Sequence, residues 1–257
     1  GANPQILLQD LIKQVEKNGS IHLYKEAEIL GFEKKNGTYK TKIRHQNEEK
    51  ILNHGALILA TGGKEITPKG YLYGQDERVI TQRQLEKMIL HKDEKLKAVN
   101  SVVMIQCVGS RDEEHPYCSR VCCTHAVKNA LKLKEKDPGM NVYVLYRDMR
   151  TYGFRESYYE EARGKGVIFI RYDLDRMPEV RKEGDILKIS ATDLILGERL
   201  EIDADLLVLG SAILPAEDNN ALAKLFRVPL NEDGFFKEAY EKLSPELVDK
   251  KFVGILG

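Results

Sequence analysis

No stretch of this sequence stays apolar for the roughly 18 residues that a membrane-spanning helix needs. The best candidate, 204–214, is interrupted by Gly210 and Ser211, so no membrane span is expected. Net charge is also missing: Lys+Arg and Asp+Glu each number 40 in 257 residues. That balance argues against nucleic acid as the main partner. No signal peptide is expected, and the sequence shows no low-complexity tract and no long linker. The opening Gly1-Ala2-Asn3-Pro4 lacks a methionine and reads as a chain cut from something longer. Cysteine is scarce as well, yet all four cysteines fall within seventeen consecutive positions. A secreted protein spreads its cysteines to tie distant segments together. A tight cluster without a signal sequence points instead to a cytoplasmic protein with a metal or redox site.

What is present is an ordinary globular mixture, 42% apolar and 31% charged, in an order typical of α/β proteins. Residues 4–18 carry Ile6, Leu7, Leu11, Ile12 and Val15 at helical spacing. Strand-like pieces follow at 21–24, 27–34 and 38–45, the last after Asn36-Gly37, and read as a three-stranded meander. An apolar strand at 55–59 then returns to a sheet. A second round repeats the order: strands over 167–172, 175–181 and 186–196, turning at Glu183-Gly184-Asp185, then an apolar strand at 205–209 ending in Gly210. Between the rounds, Thr81-x-x-Gln84 is a capping box opening a helix over 82–90. Strand 102–106, helix 122–136 and strand 142–146 form a βαβ unit and predict a parallel sheet.

Cys107 ends a predicted parallel strand, where open α/β sheets place their ligands. Cys118, Cys122 and Cys123 occupy the following loop and the first turn of the next helix. At about 100° per residue these three do not share one helical face. A helix starting near residue 121, with Cys118 in the loop, lets the sulfurs converge from different directions. The helix N-terminus favours thiolates, and Arg111, His115, Arg120, His125 and Lys128 add positive or polarisable groups. Four attachment points on separate irons suit adjacent cysteines better than one tetrahedral zinc does. From spacing alone, an iron–sulfur cluster, zinc, a redox dithiol and inert buried thiols all stay open.

The same βα turn lacks a dinucleotide fingerprint. Strand 102–106 is followed by a single glycine, Gly109, where G-x-G-x-x-G would let a pyrophosphate approach the helix start. Two other apolar strands end in glycines: Thr61-Gly62-Gly63 follows 57–60, and Gly254 and Gly257 lie in the last segment. Each reads either as a tight turn or as backbone packed on a flavin. Lys128 shares its helix with Lys132, Lys134 and Lys136, and its pattern alone is that of a solvated lysine.

The stretches 102–111, 116–126, 143–148 and 150–153 together resemble the A subunit of heterodisulfide reductase. The likeness runs along nearly the whole chain and is strongest around the cysteines. It implies a thioredoxin-reductase-like, two-domain α/β flavoprotein module. On this reading residues 1–97 and 216–257 form an incomplete FAD-binding-like domain, and 98–215 a nicotinamide-domain-like unit carrying the cysteines, with a parallel sheet and a β-meander. The resemblance further implies a [4Fe-4S] cluster held by Cys107, Cys118, Cys122 and Cys123, and FAD in the intact protein. Lys128 would lie near the flavin's reactive nitrogen, with Thr61, Gly62, Gly63, Gly254 and Gly257 as flavin contacts. The implied role is that of an oxidoreductase component passing electrons between flavin and cluster, with no acid–base catalytic residue. Its implied partners are further iron–sulfur subunits and an electron-donor enzyme; a homodimer is also among the expected assemblies. The family's FAD domain opens with a strand–GxGxxG–helix unit that these residues do not supply, so the chain reads as an internal fragment. Two other readings stand beside this one: a docking module with zinc or free thiols, and a NAD(P)H-dependent disulfide reductase. The second is disfavoured by the missing fingerprint and the lack of a C-x-x-C pair.

Overall fold

The computed structural model describes residues 4–35, 38–237 and 253–255. The chain forms two compact units, Gly1–Gly62 with Glu217–Gly257, and Gly63–Ala216. In chain order, the first unit begins with α1 (Pro4–Lys17), β1 (Glu28–Lys35), β2 (Thr38–His45), β3 (Glu48–His54) and β4 (Leu57–Leu59). The second runs through β5 (Gly63–Glu65), β6 (Val79–Thr81), α2 (Gln82–Leu90), β7 (Ser101–Val108), α3 (Cys122–Lys136) and β8 (Asn141–Tyr146). It continues with α4 (Glu156–Gly164), β9 (Ile168–Arg171), β10 (Glu179–Glu183), β11 (Ile186–Thr192), β12 (Arg199–Ala204), β13 (Leu206–Ser211) and β14 (Ile213–Pro215). The chain then re-enters the first unit with α5 (Asn219–Phe226) and β15 (Val253–Ile255).

In the first unit β1, β2 and β3 form an antiparallel sheet. The meander expected at 21–45 is therefore displaced by one strand. Residues 21–24 form no strand, and Ile21 and Leu23 stay exposed. The third strand comes from β3, joined to β2 through Gln46 and Asn47, both at positive φ (52° and 67°). Two consecutive positive φ values are the signature of a tight hairpin turn whose twist matches the strands. Phe32, Leu57, Leu222, Leu225 and Phe236 pack with the buried Leu59, Phe226 and Val228 into a small core. Phe32 meets Phe226 edge to face at 4.9 Å between ring centroids. β4 pairs in parallel with β15, Gly254 standing opposite Ile58. Asn36-Gly37 and Gly257 lie outside the described residues.

The second unit is built on a five-stranded parallel sheet ordered β6-β13-β7-β8-β9. Alternation along its strands sorts the core into two layers, as successive side chains must point to opposite faces. Val102, Met104, Val142, Val144, Leu206 and Val208 face the helices, packing with Ala126, Val127, Ala130 and Leu133 of α3. Val103, Ile105, Leu145, Leu207 and Leu209 face the other way, onto Leu187, Ile189 and Ile202 of the meander β10-β11-β12. Residues 167–172, read from sequence as part of that meander, instead supply β9 of the parallel sheet. Residues 63–97, grouped with the first domain in the sequence reading, lie in the second unit, where β6 adds to the sheet beside β13. The chain enters this unit on β5 and leaves on β14, and the two strands pair, Gly63 opposite Pro215.

Candidate metal centre

Strands β8 and β9 follow β7 to one side of the sheet, while β13 and β6 lie on its other side. The carboxyl ends of β7 and β13 thus border the crevice where open α/β sheets bind ligands. The register slips there: Leu209 faces Ile105 and Ser211 faces Val108, so Gln106 and Cys107 together oppose Gly210. This is a β-bulge, a device that re-aims a side chain at a sheet rim. Cys107 takes φ +62°, in the left-handed region. Gly210 leaves room for Gln106: a Cβ there would sit 2.5 Å from Gln106 Oε1 and 3.2 Å from its Cα, so any larger residue must displace Gln106. Tyr172 fixes the bulge by donating to the Gln106 carbonyl at 2.6 Å.

The loop after β7 is strained in two more places, Arg111 (φ +58°) and Arg120 (φ +61°). Non-glycine residues in this region each cost on the order of 1–3 kcal/mol and concentrate at functional sites. Arg111 is held by its N–H donating to Tyr117 O at 3.1 Å and by Arg147 Nη1 donating to its carbonyl at 2.6 Å. Helix α3 begins at Cys122, capped by Val121 without a side-chain bond. Cys118 remains in the loop, where its Sγ accepts from Arg120 N–H at 3.4 Å.

Cys107, Cys122 and Cys123 are buried, Cys118 is half-buried, and none is in a disulfide. The three buried thiols perturb one another. Burial, and then the charge of Cys123, pushes the Cys107 thiol up, opposed by Arg111. Cys122 is pushed up by its hydrogen bond to Cys123 and by burial. The same bond holds Cys123 below the usual thiol range, aided by the Arg150 backbone N–H and the charges of Arg150 and Arg111. Within this pair the bond favours the thiolate on Cys123 and the thiol on Cys122. Cys123 Sγ, when protonated, donates to Asp148 O at 3.6 Å. Among the described residues no three His, Cys, Asp or Glu side chains converge as a ready-made site for a single ion.

Positive charge surrounds this set. Arg111 Nη2 bonds Asp148 at 2.6 Å, and Arg171 and Arg150 reach the same carboxylate at 3.5 Å and 3.8 Å. The donor set is that of a thiolate-bound, anionic group: four sulfurs, a helix N-terminus and guanidinium groups.

Beside Cys122 lies a cavity of about 120 Å³, lined among others by Gln82, Arg83, His125 and Ser211. Gln82 Nε2 and Ser211 Oγ are buried without a hydrogen-bond partner. Lys128 lies one turn beyond His125, and both bind Glu86 of α2, at 2.5 Å and 2.8 Å. Burial works against an ionised Glu86, but Lys128 and then His125 outweigh it and hold the carboxyl below its ordinary range. Burial, with Lys128 behind it, lowers His125, so the imidazole is neutral near pH 7. Lys128 is thus a tethered cation rather than a freely solvated one.

The glycine-rich turns behave differently from one another. In the first unit Thr61 Oγ1 donates to Asn219 Oδ1 at 3.0 Å, and Gly62 has φ +65° with open space where a Cβ would stand. In the second, Gly63 is glycine because β14 packs on it: a Cβ would lie 2.5 Å from Ile213 Cγ2. Sequence reasoning missed Asp148, Arg150 and Glu86. The first two follow β8, the strand next to β7, and that adjacency at the sheet's carboxyl edge was the available signal.

No protein-family model matches the chain. Curated proteins do. Over 234 residues the chain is 40% identical to the A subunit of the H(2)/formate:CoB-CoM heterodisulfide,ferredoxin reductase of Methanococcus maripaludis, covering 83% of this chain and 35% of that one. It is also 40% identical to the iron-sulfur A subunit of the CoB–CoM heterodisulfide reductase of Methanocaldococcus jannaschii, covering 81% and 34%. The chain spans about a third of the length of the curated relatives it matches. Among solved structures, the HOCl-induced flavoprotein disulfide reductase of Escherichia coli aligns with TM-score 0.54 at 12% identity, covering 98% of this chain and 49% of that one. The ornithine N-hydroxylase of Kutzneria sp. 744 aligns with TM-score 0.51 at 9% identity, covering 97% and 69%. The α/β fold of the thioredoxin-reductase type expected from sequence is the one found. The likeness first seen around the cysteines stands with it: by sequence this chain is a relative of the A subunit of heterodisulfide reductase.

Proposed function

We propose that this chain is an electron-transfer module of a flavin and iron–sulfur oxidoreductase, in which Cys107, Cys118, Cys122 and Cys123 hold a [4Fe-4S] cluster. The observation that carries the reading is the gathering of four free cysteines, three of them buried, at the carboxyl edge of β7, in the loop after it and at the start of α3. A lone tetrahedral ion needs sulfurs about 2.3 Å from one point. A cluster takes each thiolate on its own iron, a wider arrangement that a bulged strand end, a loop and two adjacent helical residues supply more readily. When bound, the cluster supplies a one-electron carrier and the flavin a converter between one- and two-electron chemistry.

The chain's own residues provide the environment. Of the three buried thiols Cys123 is the readiest to ionise, and the cysteines would bind a cluster as thiolates, releasing their protons. Arg111, Arg150 and the α3 N-terminus offset the negative charge that accumulates. Burial of Cys107, Cys122 and Cys123 excludes water from the sulfurs. Lys128, fixed by Glu86, presents a tethered positive charge and is a proposed flavin contact of the second unit, resting on the family likeness; Thr61, Gly62 and Gly254 in the first unit and Gly63 in the second are proposed as flavin contacts on the same likeness alone. Two curated relatives are named for heterodisulfide reduction, one with ferredoxin and one as an iron–sulfur component. By extension this chain works with other iron–sulfur subunits and an electron donor, in the cytoplasm. Consistent with that, no described helix is long and apolar enough to cross a membrane.

Anaerobic purification with iron, acid-labile sulfide, zinc and flavin analysis tests the reading. The expected result is four irons and four sulfides per chain, lost on Cys107→Ser with the fold retained by circular dichroism. One zinc per chain without labile sulfide would sink it in favour of a zinc-bearing docking module.

A further inference from the structure

Asp148 is a single carboxylate contacted by three arginines, and two of them also reach the cysteines. Arg111 bonds Asp148 at 2.6 Å with only 17% of its side chain exposed, and its charge acts on the Cys107 thiol. Its Nη1 is buried and has no hydrogen-bond partner. Arg150 lies on the other side, 3.8 Å from Asp148, with its guanidinium interacting with Cys118 and its backbone N–H with Cys123. Arg171 touches Asp148 at 3.5 Å from a more exposed position. A buried guanidinium nitrogen without a partner calls for an anion or acceptor. Asp148 is already occupied by Arg111's other nitrogen, so the remaining donor is free for the sulfur side.

We propose that Arg111 and Arg150, tied together through Asp148, set the reduction potential of the cluster bound by the four cysteines. The inference rests on the cluster reading above and adds the residues that tune it. Adding an electron makes a thiolate-ligated cluster more negative, and no bond is made or broken. Fixed positive charge and N–H donors at the sulfurs stabilise the reduced form, which raises the potential; negative charge does the reverse. Arg111 and Arg150 therefore pull the potential up, and Asp148 moderates both. The loop strain at Arg111 (φ +58°) has a purpose on this account, since the strained loop is the one that carries this buried guanidinium between Cys107 and Asp148 in the chain's electrostatics.

The test is an anaerobic redox titration of the full chain reconstituted with iron and sulfide, with dithionite as reductant and EPR reading the reduced cluster. Iron and sulfide content are measured for every variant. Arg111→Gln and Arg150→Gln should each lower the one-electron reduction equilibrium constant at least tenfold, about 59 mV. Asp148→Asn should shift it the opposite way, and Arg111→Lys, which keeps the charge, should stay within threefold of wild type. Opposite signs at neighbouring positions are not produced by general loosening of the loop. If the glutamine variants fail to take up iron, Arg111→Lys and Asp148→Asn carry the comparison. A loaded cluster whose potential is unmoved, or moves the same way in every variant, overturns this inference and leaves the cluster reading standing. Wild-type protein without labile sulfide overturns both.

Discussion

At position 76 a buried carboxylate owes its charge chiefly to one neighbour, with Lys182 adding to it at 3.5 Å. Arg78 grips Asp76 through Nε at 2.9 Å, Nη2 at 2.7 Å and its own backbone N–H at 3.0 Å. Those bonds hold the carboxyl far below the usual range, which for an unfolded Asp is near pKa 3.9. Because the folded value is depressed, the stabilisation is complete above about pH 4 and fades as pH falls toward the folded value. Asp76→Asn should therefore unfold at lower urea than wild type at pH 7, with the gap closing below about pH 4. A gap that stays constant down to pH 2 would contradict this. Residue-level legibility was uneven in the same way. Cys107, Cys118, Cys122 and Cys123 declare themselves by type and clustering. Arg111 stands near enough in sequence to be suspected. Arg150 and Asp148 belong to a different loop, and only the pairing of β7 with β8 brings them to the sulfurs.

Helix α2 shows how closely an element can be read where the chemistry is local. Thr81 accepts from Gln84 N–H at 3.3 Å, while Gln84 Oε1 accepts from Thr81 N–H at 2.7 Å. The helix runs from Gln82 to Leu90, as the capping box predicts. Thr81→Ala should cost about 1 kcal/mol in chemical denaturation, and Thr81→Ser should restore most of it. A loss below about 0.3 kcal/mol would mean that tertiary packing alone fixes the start of the helix. Helix α3 was equally legible, beginning at Cys122 and ending before Pro138. The missed strands share a different character. β3 (EEKILNH) opens on three consecutive charges and has no fully buried residue, β12 (RLEIDA) alternates charges with only Ile202 and Ala204 buried, and the β2–β3 turn uses Gln46-Asn47 instead of a glycine-bearing pair. Their pairing partners define them, and partners are not a local property.

Across the whole molecule, the second unit is covered on both faces of its sheet. Leu207 of β13 is fully buried at its centre, on the meander side. Leu207→Ala should destabilise by about 2–5 kcal/mol, read as a lower denaturation midpoint; a change under 1 kcal/mol would show that the layer relaxes around the gap. The parallel sheet and the repeated meander were foreseeable from strand order. The division of the chain was less so, because β6 is only three residues long and joins a sheet whose other members lie further along.

The pairing of β5 with β14 also bears on the order of assembly. Phe32 and Leu59 must find Phe226 to complete the first unit's core, across an insertion of roughly 150 residues. Each doubling of a loop adds about 0.6 kcal/mol to its closure. Once the inserted unit has folded, its ends are already side by side on adjacent strands, and most of that closure, on the order of 3 kcal/mol, has been met. Folding of the inserted unit thus favours completion of its host's core. A core defect such as Leu207→Ala should slow the burial of Phe226, although that residue lies in the other unit.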